Sequence, residues 1–581
     1  LQFGALVVFF IAVMVYRSNT GYLNAYDSAP TTLAVFNALE HQTLAFDEFR
    51  NGYLVANGAG YVFLDAPNGH LESQYPIGTT LLTAPIYLVQ YAVDQAKHAL
   101  PDILSPAFEP TRLRDEKRAA ILVGSLAAML FFLCALRITT LEAAIVATIA
   151  FAFGSEMWTI GSQALWQHGA LALVTLAMIL ALLRVPNGER RGLPLLLAGL
   201  CAGFLPVVRP TAIIYGTAGL AFAMQYGGRE RKRFFAGFAI GIAPGLLWNV
   251  AIFHSAFGGY QVASQSYIFT FVQAVSGFEG LLVSPNRGLL IFMPWVVFCA
   301  LGVYRAFVQA SPIAHLLRYL TIATIATFAN YIFFANWHGG SNFGPRYLTD
   351  LMPTLGLLVA YAWPALRLRA PARRAALGAL IVTIAFAVAV QAAGAYAEPI
   401  TNWSGTPLDL TRHTERIWQW HDSQIERDAL ATYHLWAPNP TFRTSYADGY
   451  DGTIGAISLG DSILGNAPVH VAPGETVSLR AELTNTGTSL WYGYETGMYF
   501  GQTHVRVRFI DAAGAIASER SLYVAGETSP NMHAIASAIV SAPSTAGRYK
   551  AVFDIDVLQD ARIGSRHVGA RSLTFDVEPG A

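Results

Sequence analysis

The sequence predicts a polytopic α-helical membrane protein with about 11–13 transmembrane helices, followed by an extracytoplasmic β-sandwich. Three observations predict it. Of 581 residues, 54% are hydrophobic and only 13% charged, where an ordinary soluble domain carries about 25% charged residues. Apolar stretches of spanning length recur up to Gly394. From about Ala467 the pattern changes to the two-residue alternation of strands.

The apolar segments are 1–16, 119–136, 141–157, 168–183, 194–208, 211–226, 234–253, 288–304, 316–335, 348–364 and 375–394. The opening "LQFGALVVFFIAVMVY" starts inside an apolar run, lacks the basic start and cleavage site of a signal peptide, and reads as a retained membrane anchor. Lys and Arg in short loops set orientation. "RVPNGERRG" (184–192), "GGRERKRF" (227–234) and "RLRAPARR" (367–374) are basic and are assigned to the cytoplasm, with "YRAFVQASPIAHLLR" (304–318) agreeing more weakly. The alternate loops and everything after the last span then face outward, as expected of a multi-pass protein of the inner (cytoplasmic) membrane. The segment "SQYPIGTTLLTAPIYLVQYAV" (73–93) is apolar enough to span, but a single crossing there would invert every later basic loop. It is assigned to an interfacial or re-entrant helix on the outer leaflet. The alternative is a crossing paired with a second one, which the basic run "RLRDEKR" (112–118) favours.

Residues 1–394 thus form a transmembrane domain whose first external loop is 17–118. Residues 395–466 form an external linker, in which "TERIWQWHDSQIERDALATYHLW" (414–436) reads as an amphipathic helix with Trp418, Trp420 and Trp436 at the membrane interface. Residues 467–581 form a β-sandwich, with "VSLRAELTN", "HVRVRFID", "SAIVSAP" and "RYKAVFDIDV" as strands.

Lys+Arg and Asp+Glu balance at 37 each, so no basic excess points to nucleic acid. The three cysteines, Cys134, Cys201 and Cys299, lie in apolar stretches and imply no disulfide framework or thiolate cluster. No metal-ligand spacing, phosphate-binding loop, nucleophile elbow or dinucleotide fingerprint occurs, so no metal site is predicted, and a divalent metal has no support in the sequence.

Chemistry-bearing residues gather in the external loops. Asp27, soon after the first span, reads either as a general base at the membrane surface or as a cap for a helix starting near Ala29. Asp47 and Glu48 are adjacent carboxylates, a pairing more often solvated than catalytic, and "NGHLESQYPIGTT" brings Glu72 and Tyr75 before the re-entrant segment. His168 and His338 stand on different outer loops. Arg209, Arg287 and Arg346 sit at the outer ends of different spans, where a guanidinium either snorkels to headgroups or holds phosphate. In "GGSNFGPR" the glycines permit close backbone approach to a ligand, which favours phosphate binding at Arg346.

A single anchor, a long external loop with an early Asp, and then "NGHLESQYPIGTTLLTAPIY" resembles the GT-C glycosyltransferases, in particular the protein O-mannosyltransferase and aminoarabinose-transferase group with its bacterial relatives. "FGSEMWTIGSQALWQH", "SPNRGLLIFMPW" and "WHGGSNFGPRYLTDLMP" are similar to stretches of those relatives, and "NTGTSLWY" to immunoglobulin-like modules attached to some of them. The resemblance covers about residues 1–394. It implies transfer of a sugar from a polyprenyl-phosphate donor to a hydroxyl of a cell-envelope glycan, glycolipid or protein, on the outer face and with inversion, with no cofactor required. By position the base falls on Asp27. The phosphate-binding role falls on Arg346, then Arg287 and Arg209; Tyr75, Glu72, His168 and His338 of the same outer loops are the candidate substrate contacts. The mannosyltransferases carry an Asp-Glu pair soon after the first span. Here Ser28 follows Asp27, and the Asp-Glu pair is Asp47-Glu48, which keeps those two as candidates. The rival readings are a lipid-linked sugar flippase, an O-antigen-ligase-like glycan transferase and a non-catalytic envelope scaffold.

Overall fold

The computed structural model describes residues 2–579 apart from 20, 24, 187–190, 263–270, 272, 367–370, 437–448, 499–501 and 558–567. Two compact units divide it, Leu1–Ala395 and Tyr396–Ala581.

The first unit is helical. Its longer helices are α1 (Gln2–Arg17), α2 (Ala29–Glu40), α3 (Gly78–Ala96), α4 (Glu109–Ile138), α5 (Leu141–Ala152), α6 (Gln167–Leu182), α7 (Gly192–Val208), α8 (Ile213–Tyr226), α9 (Arg231–Phe253), α10 (Ala274–Val283), α11 (Cys299–Val308), α12 (Pro312–Ile332), α13 (Met352–Leu366) and α14 (Pro371–Thr401). Among the described residues four helical segments are long and apolar enough to cross a membrane, Pro106–Ile138, Gly228–Phe253, Pro312–Ile332 and Pro371–Pro399, and shorter apolar helices accompany them. The chain is therefore a multi-pass membrane protein. The apolar segments singled out in the sequence fall largely on helix, although 141–157 is interrupted at 153–155, between α5 and a short helix at Glu156–Thr159. The stretch 288–304 is split at Met293–Pro294, where proline removes a backbone donor and the chain leaves the helical region before resuming towards α11.

Lipid offers no hydrophobic drive between helices, so close packing through small residues holds them together. Helices α7 and α9 show this. A Cβ on Gly199 or Gly203 of α7 would overlap the carbonyl oxygens of Phe234 and Phe238, and one on Gly237 or Gly241 of α9 would overlap those of Leu196 and Leu200. The outer side of α9 carries exposed Ile240, Leu247 and Val250 towards lipid.

The long loop between α1 and α4 leaves and returns on one side of the bundle. Lys117 Nζ, near the start of α4, donates to Asn19 O (3.1 Å), Asn19 Oδ1 (3.0 Å) and Gly21 O (2.6 Å), just past the end of α1. Helix α3 lies across that same end. Its first residue, Gly78, abuts the backbone of Val207–Val208 at the end of α7, and Asp94 in its last turn pairs with Arg114 in the first turns of α4. Both ends of α3 thus contact neighbouring helices, its start at the end of α7 and its last turn in the first turns of α4. A short hairpin, β1 (Phe63–Asp65) with β2 (Leu71–Ser73), precedes it.

The second unit differs from expectation in two ways. The amphipathic stretch 414–436 is a 3₁₀ turn (Thr414–Trp418) and then α15 (Gln424–Trp436). Asp422 adopts a left-handed conformation (φ 57°), and Ser423 Oγ accepts from Glu426 N–H at 3.2 Å to start the helix afresh. Trp418, Trp420 and Trp436 are exposed. The β-domain also starts before residue 467, since β3 (Gly452–Leu459) and β4 (Ser462–Ile463) lie in the stretch read as linker. The remaining strands are β5 (Val469–Val471), β6 (Thr476–Asn485), β7 (Trp491–Tyr492), β8 (Thr503–Ile510), β9 (Ile516–Val524), β10 (Glu527–Thr528), β11 (His533–Ser541), β12 (Gly547–Val557) and β13 (Val568–Val577). Nine of them form one sheet, ordered β4-β3-β6-β11-β9-β8-β12-β13-β5, with only the β13–β5 pair parallel. It folds over itself, bringing Gly569 of β13 against Gly452 of β3, and encloses Leu479, Val507, Phe509, Phe553 and Trp491. Within the nine-stranded sheet β11 and β9 are joined by only two residue pairs, and the ladder shifts register at Ile454/Ile457, Phe509/Ile510 and Phe553/Ile555.

Gly237→Leu forces the α7–α9 contact apart, an overpacking cost of about 1–3 kcal/mol. The variant is expected to melt several degrees below wild type in detergent. Gly378→Leu, where an added side chain meets open space, is expected to melt as wild type.

Candidate active site

Asp27 lies in a single 3₁₀ turn (Tyr26–Ser28) between α1 and α2. It does not cap α2, whose start has no side-chain cap bond. Tyr61 and Tyr75 both donate their hydroxyls to its Oδ1, at 2.7 and 2.9 Å. Arg346, just before α13, donates from Nη1 to its Oδ2 at 2.8 Å. Burial favours the neutral carboxyl, but the Arg346 charge and these hydrogen bonds outweigh it and hold Asp27 below the usual carboxylate range. Asp27 is therefore ionised at neutral pH.

The Arg346 guanidinium stands over the rings of Trp166 and Tyr347, at 5.3 and 5.4 Å. This planar cation suits such a slot better than an ammonium. Among the described residues its buried Nε has no hydrogen-bond partner, an open donor beside the carboxylate. Tyr347 also carries Arg209 over its ring at 5.5 Å. Arg209 Nε lies 3.4 Å from Asp350 Oδ2, and Asp350 further accepts from His168 Nδ1 (2.6 Å) and from the Tyr331 hydroxyl. Tyr75 packs edge-on against Tyr260, which bonds Gln167 at 3.3 Å. Asp27, Tyr75, Arg346, Arg209 and His168 thus share one continuous site.

The other sequence candidates lie elsewhere. Arg287 is fully buried and donates to backbone carbonyls, from Nε to His338 (2.9 Å), from Nη1 to Asn286 (2.6 Å) and from Nη2 to Gly340 (2.9 Å). It shapes the loop that ends in Arg346 in place of presenting an open fork. His338 Nδ1 accepts from Gly340 N–H at 3.2 Å. Burial, with Arg287 and Arg346 nearby, pushes its pKa down to about 4, so it is neutral. Gly344 in this loop takes a left-handed φ of 61° and leaves no room for a side chain against Glu156. Asp47 binds His70 Nδ1 (2.7 Å) and Leu71 N–H (2.8 Å), and Glu48 pairs with His41 (3.0 Å). Both tie the surface of the loop together and stand apart from Asp27. Glu72 is buried in β2, accepts from Asn68 at 3.0 Å, and is raised by burial.

Tyr61, Trp166, Tyr331, Tyr347 and Asp350 escaped the sequence reading. Tyr347 and Asp350 follow Arg346 within "GPRYLTD", and Trp166 precedes His168 in "LWQH", so those motifs held the signal. Nothing near Tyr61 marks it. Among the described residues one trio, His470, Asp576 and Glu578 of the β-domain, comes within metal-ligating range, and its Asp576 is held by Arg548 at 2.7 and 2.8 Å.

No family model and no curated protein matches the chain. Among solved structures it is similar to ArnT from Cupriavidus metallidurans bound to undecaprenyl phosphate, at 15% identity and TM-score 0.43, covering 74% of this chain and 68% of that one. It is also similar to the oligosaccharyltransferase AglB from Archaeoglobus fulgidus in complex with an inhibitory peptide and a dolichol-phosphate, at 14% identity and TM-score 0.41, covering 72% of this chain and 60% of that one.

The lowered Asp27 pKa carries a stability signature. A depressed carboxylate stabilises the fold above its unfolded pKa, and that contribution disappears as pH falls through the folded value. Thermal melts from pH 7 down to pH 3 are expected to show a wild-type loss below the ordinary Asp range that Asp27→Asn lacks.

Proposed function

We propose that the chain is a membrane glycosyltransferase that moves a sugar from a polyprenyl-phosphate donor to a hydroxyl of a cell-envelope glycan, glycolipid or protein, on the extracytoplasmic face and with inversion. The observation that carries the reading is the Asp27–Arg346 pair at 2.8 Å with the Arg346 Nε donor unused beside it. A carboxylate that takes a proton and a cation that takes phosphate stand in one pocket.

Helix direction supports the outer face. Arg209 follows the end of α7, His168 opens α6 and Arg346 precedes α13, whereas the basic stretches 184–192 and 367–374 lie at the opposite ends of these helices. A small cleft lined by Pro76, Ile77, Pro206, Val207, Asn249 and Tyr260 lies between the residues that precede α3, the end of α7 and the body of α9. In this reading the donor lipid runs along the surface at this cleft and its phosphate reaches Arg346.

In this reading the acceptor hydroxyl approaches Asp27 and attacks the anomeric carbon from the face opposite the phosphate. The carbon–oxygen bond to phosphate breaks, and its electrons leave as negative charge on the phosphate oxygens. Arg346 is drawn to that charge, with Arg209 behind Tyr347 adding a second positive field. As Arg346 turns to the phosphate, Asp27 loses the cation that held its basicity down, at the stage when it takes the hydroxyl proton. Tyr61 and Tyr75 keep the carboxylate aimed.

The test is release of polyprenyl phosphate in liposomes with cell-envelope acceptor and a panel of polyprenyl-phosphate sugars. Wild type is expected to release it. Asp27→Asn is expected to lose about 10²–10⁴ in rate, the worth of a positioned base, with donor binding retained. Arg346→Ala is expected to lose about 10²–10³, with weaker donor binding. Full activity of Asp27→Asn would remove that residue from the chemistry.

A further inference from the structure

Glu116 lies within α4 and makes no contact with the proposed reacting groups, yet it touches both segments that carry them. Its Oε1 meets the hydroxyl of Ser28, the residue after Asp27, and accepts from Leu165 N–H at 3.4 Å, the residue before Trp166. Its Oε2 accepts from Arg112 Nη1 at 2.8 Å, and Arg112 is fixed in turn by Glu109 at 2.7 and 2.8 Å. Glu116 is 1% exposed and Arg112 fully buried. A carboxylate placed so deeply persists only when its partners are geometrically fixed.

We propose that Glu116 is the positioning residue of this site, the link that sets Asp27 against Arg346. Asp27 rides on the Ser28 side of the link. Trp166, over which Arg346 stands, rides on the Leu165 side. One side chain therefore spaces the carboxylate and the platform of its cation. Ser28 sharpens the point. Its single hydroxyl proton faces two acceptors, Ala25 O at 2.7 Å and Glu116. That hydroxyl therefore stands between the turn's own carbonyl and α4, in contact with both. The groups facing Asp27 are Arg346, Tyr61 and Tyr75, and those facing Glu116 are Arg112, Glu109 and Tyr87 of α3. As a role within the reaction this inference rests on the glycosyltransferase reading; as a statement about the Asp27–Arg346 geometry it does not.

The test uses the full chain in detergent and two variants. Ser28→Ala deletes the docking hydroxyl. Glu116→Gln leaves one acceptor oxygen for partners that need two. Carbodiimide labelling of Asp27 is followed by mass spectrometry against pH, since only the protonated carboxyl reacts. Wild type is expected to label only at low pH. Both variants are expected to shift the midpoint upward by about one pH unit, a tenfold change in proton affinity, while melting as folded proteins. In the release assay the acid limb of kcat is expected to move the same way, with donor KM little changed. A merely structural role would lower the active fraction without moving either midpoint. Unmoved midpoints in folded Ser28→Ala and Glu116→Gln overturn the proposal. If Glu116→Gln does not fold, Ser28→Ala decides alone. Absence of release by wild type would sink the glycosyltransferase reading, while the labelling, which needs no turnover, still decides the positioning.

Discussion

The Asp27–Arg346 ion pair joins residues 319 apart in sequence, and the site depends on it. Charges withdrawn from water gain by pairing only if their surroundings fix the geometry and satisfy the other polar atoms. Here Tyr61 and Tyr75 occupy one carboxylate oxygen, and the rings of Trp166 and Tyr347 flank the guanidinium. Four stretches of chain must therefore converge: the exit from α1, the external loop, the turn before α6 and the loop before α13.

Three of these stretches have an anchor of their own. Lys117 fixes the exit from α1 through the carbonyls of Asn19 and Gly21. Arg287 grips the carbonyls of His338 and Gly340 and so shapes the loop leading to Arg346. Helix α3, which follows Tyr75 in the loop, is held at its start against Val207–Val208 and in its last turn by the Asp94–Arg114 pair. These anchors are charged groups buried at one end of the bundle, whereas the body of α7 and α9 packs through glycine. Polar residues are concentrated where ordering is needed, and the apolar remainder is left to lipid and close contact.

The helical unit was largely legible in the sequence because hydropathy reports burial in lipid directly. Asp27, Tyr75 and Arg346 were legible as polar residues beside span ends, and the structure brings these three into contact. Asp47, Glu48 and Arg287 looked equivalent to them, since sequence shows a charge but not its partner. Here Asp47 and Glu48 meet histidines on the loop surface, and Arg287 meets carbonyls. Tyr61 and Asp350 were invisible for the same reason, because their roles come from long-range contacts. In the β-domain, alternation located β6, β8, β11 and β12, but β3, with its glycines and a register shift between Ile454 and Ile457, broke the period and was read as linker.

A structure of the chain with a bound polyprenyl phosphate tests the central claim most directly. The account predicts the phosphate against the Arg346 guanidinium, its lipid entering along the Pro76–Val207 cleft, and the Asp27 carboxylate open to an incoming hydroxyl. A phosphate seated at the end of the bundle that carries the basic loops, or away from Arg346 altogether, would contradict it.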